Sequence, residues 1–208
     1  EFTAMLWFNT SSEKGGMIMT INDTSMTPNI NLFMADSGYV CFSMYDKTYT
    51  KYDIGNTLYR YNSGVWHHLA VVLRKSDNKY FFKDRLEVYI DGGLVETYDD
   101  TLKAFQNIIN GYITLGHGSL PSSDPNYPTN LYFDGNMSDF RFISKALSYE
   151  EIMTTMLSNK PYPINNNQPL AIWWKLDDIN DTIVNDYNGN NKGTITGQLS
   201  WFHSLYQT

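Results

Sequence analysis

The sequence predicts an all-β chain, a two-sheet antiparallel β-sandwich with one short helix. Three observations carry that prediction. Between Trp66 and Val95 two runs alternate with a period of two and close on a glycine turn; from Phe2 to Tyr59 similar runs recur between turn signals; and only Ser148–Leu157 combines helical spacing with a cap.

In chain order, the region Phe2–Tyr59 holds short alternating runs separated by Gly15-Gly16, Thr27-Pro28-Asn29 and Gly55-Asn56, a spacing typical of antiparallel sheets. Next, His67, Leu69, Val71 and Leu73 fall on one face of a strand, with Trp66, His68, Ala70 and Val72 on the other. After a hydrophilic hairpin, Leu86, Val88 and Ile90 alternate with Glu87, Tyr89 and Asp91, and Asp91-Gly92-Gly93 supplies the positive φ angles of a tight turn. Ser148 and Glu151 form a capping box, and Tyr149, Ile152, Met153 and Met156 recur on one helical face, which predicts packing against the sandwich. The stretch from Asn159 to Pro169, with three prolines among polar residues, reads as a linker able to span roughly 35 to 40 Å. Beyond it, Leu170–Leu176 is a strand with a heavy apolar load in a tail too short to own a core, so its apolar face must bury against something.

The quoted segments resemble a known family. Trp66-His67-His68 followed by Tyr89-Ile90-Asp91-Gly92-Gly93 is similar to the core of laminin-G-like, or concanavalin A-like, lectin domains. Ile113-Thr114-Leu115-Gly116 and Phe133–Phe142 resemble that family's last sheet strands, Lys145–Ile152 its closing helix, and Phe2–Phe8 an early inner-sheet strand. The resemblance implies a concanavalin A-like jelly roll over 1–160, a linker over 161–169, and displaced strands over 170–208. Trp174-Lys175-Leu176 and Val184–Ile195 resemble the opening strands of such a domain, so they complete either this sandwich or a neighbouring one, and they would cover an open sheet edge.

A chain of 208 residues builds one sandwich core without staples. Net charge of −7 argues against nucleic acid and anionic membranes as partners, since both need basic surface. No apolar run approaches the about 20 residues that span a bilayer. The single cysteine, Cys41, excludes an internal disulfide and leaves the compartment open. The chain opens on Glu1 and reads as a piece of something longer or a processed product. Asn9, Asn22, Asn136 and Asn180 head glycosylation triplets of the kind an Asn-, Ser- and Thr-rich chain acquires by chance.

Enzymes on this scaffold that cleave polysaccharides place paired carboxylates on one strand face. Only Glu87 and Asp91 approach that pattern; a further Glu is missing and Asp91 suits the turn, so the chain is expected not to be an enzyme. His67 and His68 point to opposite faces and cannot serve one Ser-His-Asp site, and Cys41 sits mid-strand. The family's lectin sandwiches hold calcium at loop ends, which makes calcium the candidate cofactor. Asp186, Asn188 and Asn190 are spaced as the first three ligands of an EF-type loop, although Asn191 stands at position six and Gly197 at position twelve, which excludes an EF-hand; as a turn the segment needs no metal. A sugar needs an aromatic face for its apolar side and polar groups for its hydroxyls. The loop Gly118–Asn130 offers Tyr127 among Asp124, Asn126 and Asn130.

The expected function is a non-catalytic carbohydrate-binding or adhesion module of a larger extracellular, cell-surface or virion-surface protein, with a glycan or glycoprotein as partner and no membrane insertion. The alternative is a structural module that self-associates or joins neighbouring modules in an array or filament; a polysaccharide-active enzyme stands third.

Overall fold

The computed structural model describes residues 1–22, 29–45, 51–75, 84–100, 111–118, 131–160, 171–177, 182–189 and 191–197. Strands β1 (Phe2–Asn9), β6 (Trp66–Arg74), β7 (Asp84–Ile90), β8 (Gly93–Asp100), β10 (Asn136–Ile143) and β11 (Ala171–Trp174) form a six-stranded sheet in the order β11-β10-β1-β6-β7-β8. Strands β2 (Gly16–Asn22), β3 (Asn29–Met34), β4 (Tyr39–Tyr45), β5 (Lys51–Arg60) and β9 (Tyr112–Leu115) form a five-stranded sheet in the order β5-β4-β3-β2-β9. Every pairing within these sheets is antiparallel. A small ladder, β12 (Ile183–Val184) with β13 (Gly193–Thr194), stands apart.

The core follows from strand alternation. Ala4, Leu6 and Phe8 of β1, Leu69, Val71 and Leu73 of β6, and Leu86, Val88 and Ile90 of β7 meet Ile30, Leu32 and Met34 of β3 and Val40 and Phe42 of β4 in one buried cluster. Each such side chain removed from water contributes roughly 1.5 to 3 kcal/mol. The described residues therefore form the two-sheet antiparallel sandwich with one short helix that the sequence predicts.

Two local expectations change. Gly55-Asn56, expected as a turn, lies inside β5, where the register against β4 shifts between Phe42 and Ser43; a glycine within a strand marks such an irregularity as readily as a turn. The helix α1 (Tyr149–Met156) carries the capping box, with Glu151 N donating to Ser148 Oγ at 3.3 Å and Ser148 N donating to the Glu151 carboxylate at 2.9 Å. Its buried residues are Ile152 and Thr155, whereas Tyr149 is 51 % exposed. The helix is eight residues long, so its sheet contact is confined to the middle and last turns.

Ile152 and the preceding Leu147 pack with Met5, Ala70, Val72, Tyr89 and Ile143 on the outer face of the six-stranded sheet. Two arginines of that sheet, the half-buried Arg74 and the buried Arg141, hold the flanks of the helix. Arg74 donates to the carbonyls of Ala146 (3.3 Å) and Leu147 (2.5 Å), and Arg141 to those of Ser158 (2.5 Å) and Lys160 (3.2 Å). On the other side of Arg141, β11 pairs with β10 in the same chain, from Ile143↔Ala171 to Phe140↔Trp174. This register buries Ile172 and sets the Trp174 ring 5.3 Å from Phe140, at the edge of the core. The proposed linker 161–169 lies outside the described residues.

Candidate functional site

The outer face of the five-stranded sheet is built in two steps, one apolar and one polar. In β2 the register against β3 shifts between Met17 and Met19, so Ile18, Met19 and Ile21 all reach the core while Met17 and Thr20 turn outward. Met17 then lines up with Phe33 and Cys41 as a buried apolar cluster. One step along, Thr20 faces Asn31 across the β2–β3 ladder, Asn31 faces Ser43 across β3–β4, and Thr114 of β9 faces Thr20.

This polar row is withdrawn from solvent. Asn31 and Ser43 are 0 % exposed, Thr20 2 % and Asn22 8 %. Asn22 Nδ2 donates to Thr20 Oγ1 at 3.3 Å, but Asn22 Oδ1, both amide atoms of Asn31 and Ser43 Oγ have no hydrogen-bond partner among the described residues. Leaving a buried donor or acceptor unpaired costs on the order of 1 to 3 kcal/mol per group, so native proteins rarely gather such groups on one face. The outer face of an antiparallel sheet ordinarily carries polar side chains that water satisfies. Chemically, the two steps set a buried apolar cluster beside buried, uncharged hydroxyl and amide groups.

Gly118 lies on the junction of the two steps. A Cβ there would stand 2.7 Å from Thr20 Cγ2 and 2.9 Å from Met17 Cε, so only glycine lets the backbone approach this closely. The segment expected to contact a sugar, Gly118–Asn130, thus begins on the polar row; Asp124, Asn126, Tyr127 and Asn130 themselves lie outside the described residues. Asn31, Ser43, Thr20 and Asn22 were not among the residues expected to bind. Their signal, polar residues at alternate strand positions, is the same one a solvated face gives, and only their burial distinguishes them.

Elsewhere the groups weighed for catalysis are individually engaged. Glu87 accepts from Arg74 Nε and Tyr89 Oη, both at 2.9 Å, beneath the segment leading into α1. Asp91, at φ 52, is the turn residue; its Oδ1 accepts from His68 N and its Oδ2 pairs with His67 Nδ1, both at 2.8 Å. The two histidines do point to opposite faces: His67 packs near Phe8 and Tyr61 (5.8 and 4.9 Å between centroids), and His68 near Trp7 (5.1 Å). Burial pushes the His68 pKa down to about 4, with Asp91 opposing the shift and Arg141 adding to it.

Of the calcium candidates, Asn190 lies outside the described residues, and Asp186 organises its loop. Asp186 Oδ1 accepts from the backbone N–H groups of Trp173 (2.9 Å) and Asn188 (3.0 Å), and Oδ2 from the backbone (3.1 Å) and side-chain (3.3 Å) nitrogens of Asn191. Those bonds pin the loop against β11. Among the described residues no three His, Cys, Asp or Glu side chains are grouped to hold a metal ion.

Comparison with solved structures finds the same architecture in proteins of low sequence identity. A carbohydrate-binding protein of Bacteroides ovatus, itself described as putative, matches with a TM-score of 0.60 at 18 % identity over 93 % of this chain, which spans 51 % of that protein, about half its length. The heptameric SAP-like pentraxin of Limulus polyphemus gives a TM-score of 0.57 at 15 % identity, covering 93 % of this chain and 82 % of the pentraxin. Domain 4 of an extracellular arabinanase from Geobacillus stearothermophilus, in complex with arabinotriose, gives 0.50 at 18 % identity, covering 74 % of this chain and 66 % of that domain. At these identities the likeness is one of fold. No curated protein matches the chain. Among the described residues no helix is long and apolar enough to cross a membrane. The family description of concanavalin A-like lectins and glucanases matches residues 1–153, and with the jelly-roll sandwich on the page the chain belongs to the concanavalin A-like lectin/glucanases superfamily.

Proposed function

We propose that this chain is a non-catalytic carbohydrate-binding module of a larger extracellular, cell-surface or virion-surface protein, and that it takes a neutral glycan on the outer face of the five-stranded sheet. The observation that carries the reading is the buried row Thr20–Asn31–Ser43, in which both amide atoms of Asn31 and the Ser43 hydroxyl have no hydrogen-bond partner among the described residues. Because these groups are 0–8 % exposed, a sugar reaches them only by displacing what buries them; its hydroxyls would then supply the missing partners and Met17, Phe33 and Cys41 would take its apolar side. The fold's likeness to an arabinotriose-bound domain and to a carbohydrate-binding protein described as putative supports the ligand class.

Asp124, Asn126, Tyr127 and Asn130 are proposed as the contacts made by the loop that starts at Gly118, with Tyr127 as the stacking platform. Calcium is proposed at Asp186, Asn188 and Asn190, where it would have to replace N–H bonds that Asp186 accepts from Trp173, Asn188 and Asn191, away from the sugar on the opposite sheet. The test is a glycan array run on the full chain with and without calcium. Saturable binding of neutral glycans, lost in Asn31→Val and weakened in Tyr127→Ala, is the expected result. Release of reducing ends from a polysaccharide, or ordered self-association with no glycan bound, would overturn the reading.

A further inference from the structure

The edge of the six-stranded sheet carries a second constellation, unrelated to the polar row. Lys175 follows β11, and its ammonium nitrogen sits 5.0 Å from the centroid of the Trp173 ring and 4.2 Å from that of Tyr187. Other basic side chains on this sheet and its helix hold carboxylates: Arg74 binds Glu87, Arg85 binds Asp99, Arg141 binds Asp139 and Lys145 binds Glu151. Lys175 has no carboxylate within 4.0 Å among the described residues. Aromatic faces offset an ammonium's charge in part but leave its three donors without lone-pair acceptors.

The platform beneath this cation is fixed in place. Trp173 is buried under the Arg141 guanidinium at 4.5 Å, and its Nε1 donates to Asp139. Tyr187 is 48 % exposed and is positioned by its backbone N–H bond to Trp173 O at 2.9 Å. Asp186, the nearest carboxylate in sequence to Tyr187, already accepts from Trp173, Asn188 and Asn191. An exposed ring and a cation held against it before any ligand arrives make a preorganised surface. The neighbouring loop residues Asn185, Asn188, Gly189 and Asn191 are polar or bare, matching hydroxyl groups and supplying no large apolar side chain to seat a peptide residue.

We propose that Lys175 and Tyr187 form a second binding surface, for a saccharide that bears a carboxylate. The sugar ring stacks on the exposed part of Tyr187, and the carboxylate accepts hydrogen bonds from the Lys175 ammonium. Free uronate and uronate within a chain share this chemistry, so both serve as probes.

The full chain is titrated calorimetrically with galacturonate, with trigalacturonate, and with the methyl ester of the trimer, which keeps the hydroxyls and removes the charge. The acid trimer is expected to bind about tenfold or more tightly than its ester, as loss of a charge-assisted pair implies. A trimer tighter than the monomer assigns the surface to chain-internal uronate, and equal affinities assign it to a single residue; either supports the proposal. Lys175→Gln should bring the acid to the affinity of the ester, Lys175→Arg should retain binding, and Asn31→Val should leave it unchanged. Tyr187→Ala, at an exposed position, provides a second variant if Lys175→Gln melts early. Equal affinity for acid and ester, or full affinity in both Lys175→Gln and Tyr187→Ala, overturns the proposal. So does a triglutamate peptide that binds as well as trigalacturonate, since the surface would then take carboxylates of any kind. Because Asn31 plays no part here, these failures leave the sheet-face reading standing, and loss of neutral-glycan binding leaves this one standing.

Discussion

Asn31 has no exposed surface, and among the described residues neither its amide atoms nor the buried hydroxyl of Ser43 beside it has a hydrogen-bond partner. In a site kept for stability, such groups are a cost without return. Asn31→Val and Ser43→Ala are therefore expected to raise the unfolding free energy in urea by on the order of 1 kcal/mol each, as sites under functional constraint commonly allow. A loss of stability in both would show that these groups are satisfied in the unliganded protein. His68 gives a separate residue-scale test. Its folded pKa of about 4 lies below its ordinary 6.5, so the unfolded chain binds the proton first as pH falls. Its stabilising contribution is fully present above pH 6.5, declines as pH falls toward 4, and declines no further below that. The shift is worth about 3 kcal/mol at order of magnitude. Chemical denaturation between these limits should show that slope in the parent and lose most of it in His68→Phe; a parent flat across the window contradicts the assignment.

Elements whose local and global signals agree were legible in the sequence. Period-two alternation placed the faces of β6 and β7, and Ser148 with Glu151 located the start of α1. Ser148→Ala is expected to cost about 1 kcal/mol, read from the thermal midpoint. The β2 irregularity was not legible because Met17-Ile18-Met19 is apolar in either phase, so alternation could not show which side chains turn outward. Tyr149 matched the apolar stripe by spacing, yet the contact surface covers only the later turns of the helix. For β11, the apolar load of Ile172 and Trp174 demanded a partner, and β10 is the strand it pairs with. Trp174→Ala removes the ring packed on Phe140 and should destabilise the fold by about 3 kcal/mol in the same denaturation assay, because a partly buried Trp falls at the low end of aromatic truncations. A change under 0.5 kcal/mol, the range of ordinary surface substitutions at about that size, would mean that β11 is held by its backbone ladder alone.

At the scale of the molecule the two sheets divide the work. The outer face of the six-stranded sheet is closed by α1 with Arg74 and Arg141, whereas that of the five-stranded sheet carries the buried row in which Asn31 and Ser43 have no partner among the described residues. The sandwich itself could be read from alternation and from the family resemblance, but the row could not, since burial is a property of the assembled fold and polar strand positions look alike before it exists. Loop-based reasoning instead singled out the segment that starts at Gly118, and the structure seats that glycine on the row. The most direct test of the account is a calorimetric titration of the parent and Asn31→Val proteins with the best neutral glycan found on the array. The account predicts saturable binding by the parent and at least about a tenfold loss in a variant that remains folded and no less stable, the size expected when hydrogen bonds to a buried amide are removed. Equal affinity in the two proteins would contradict it.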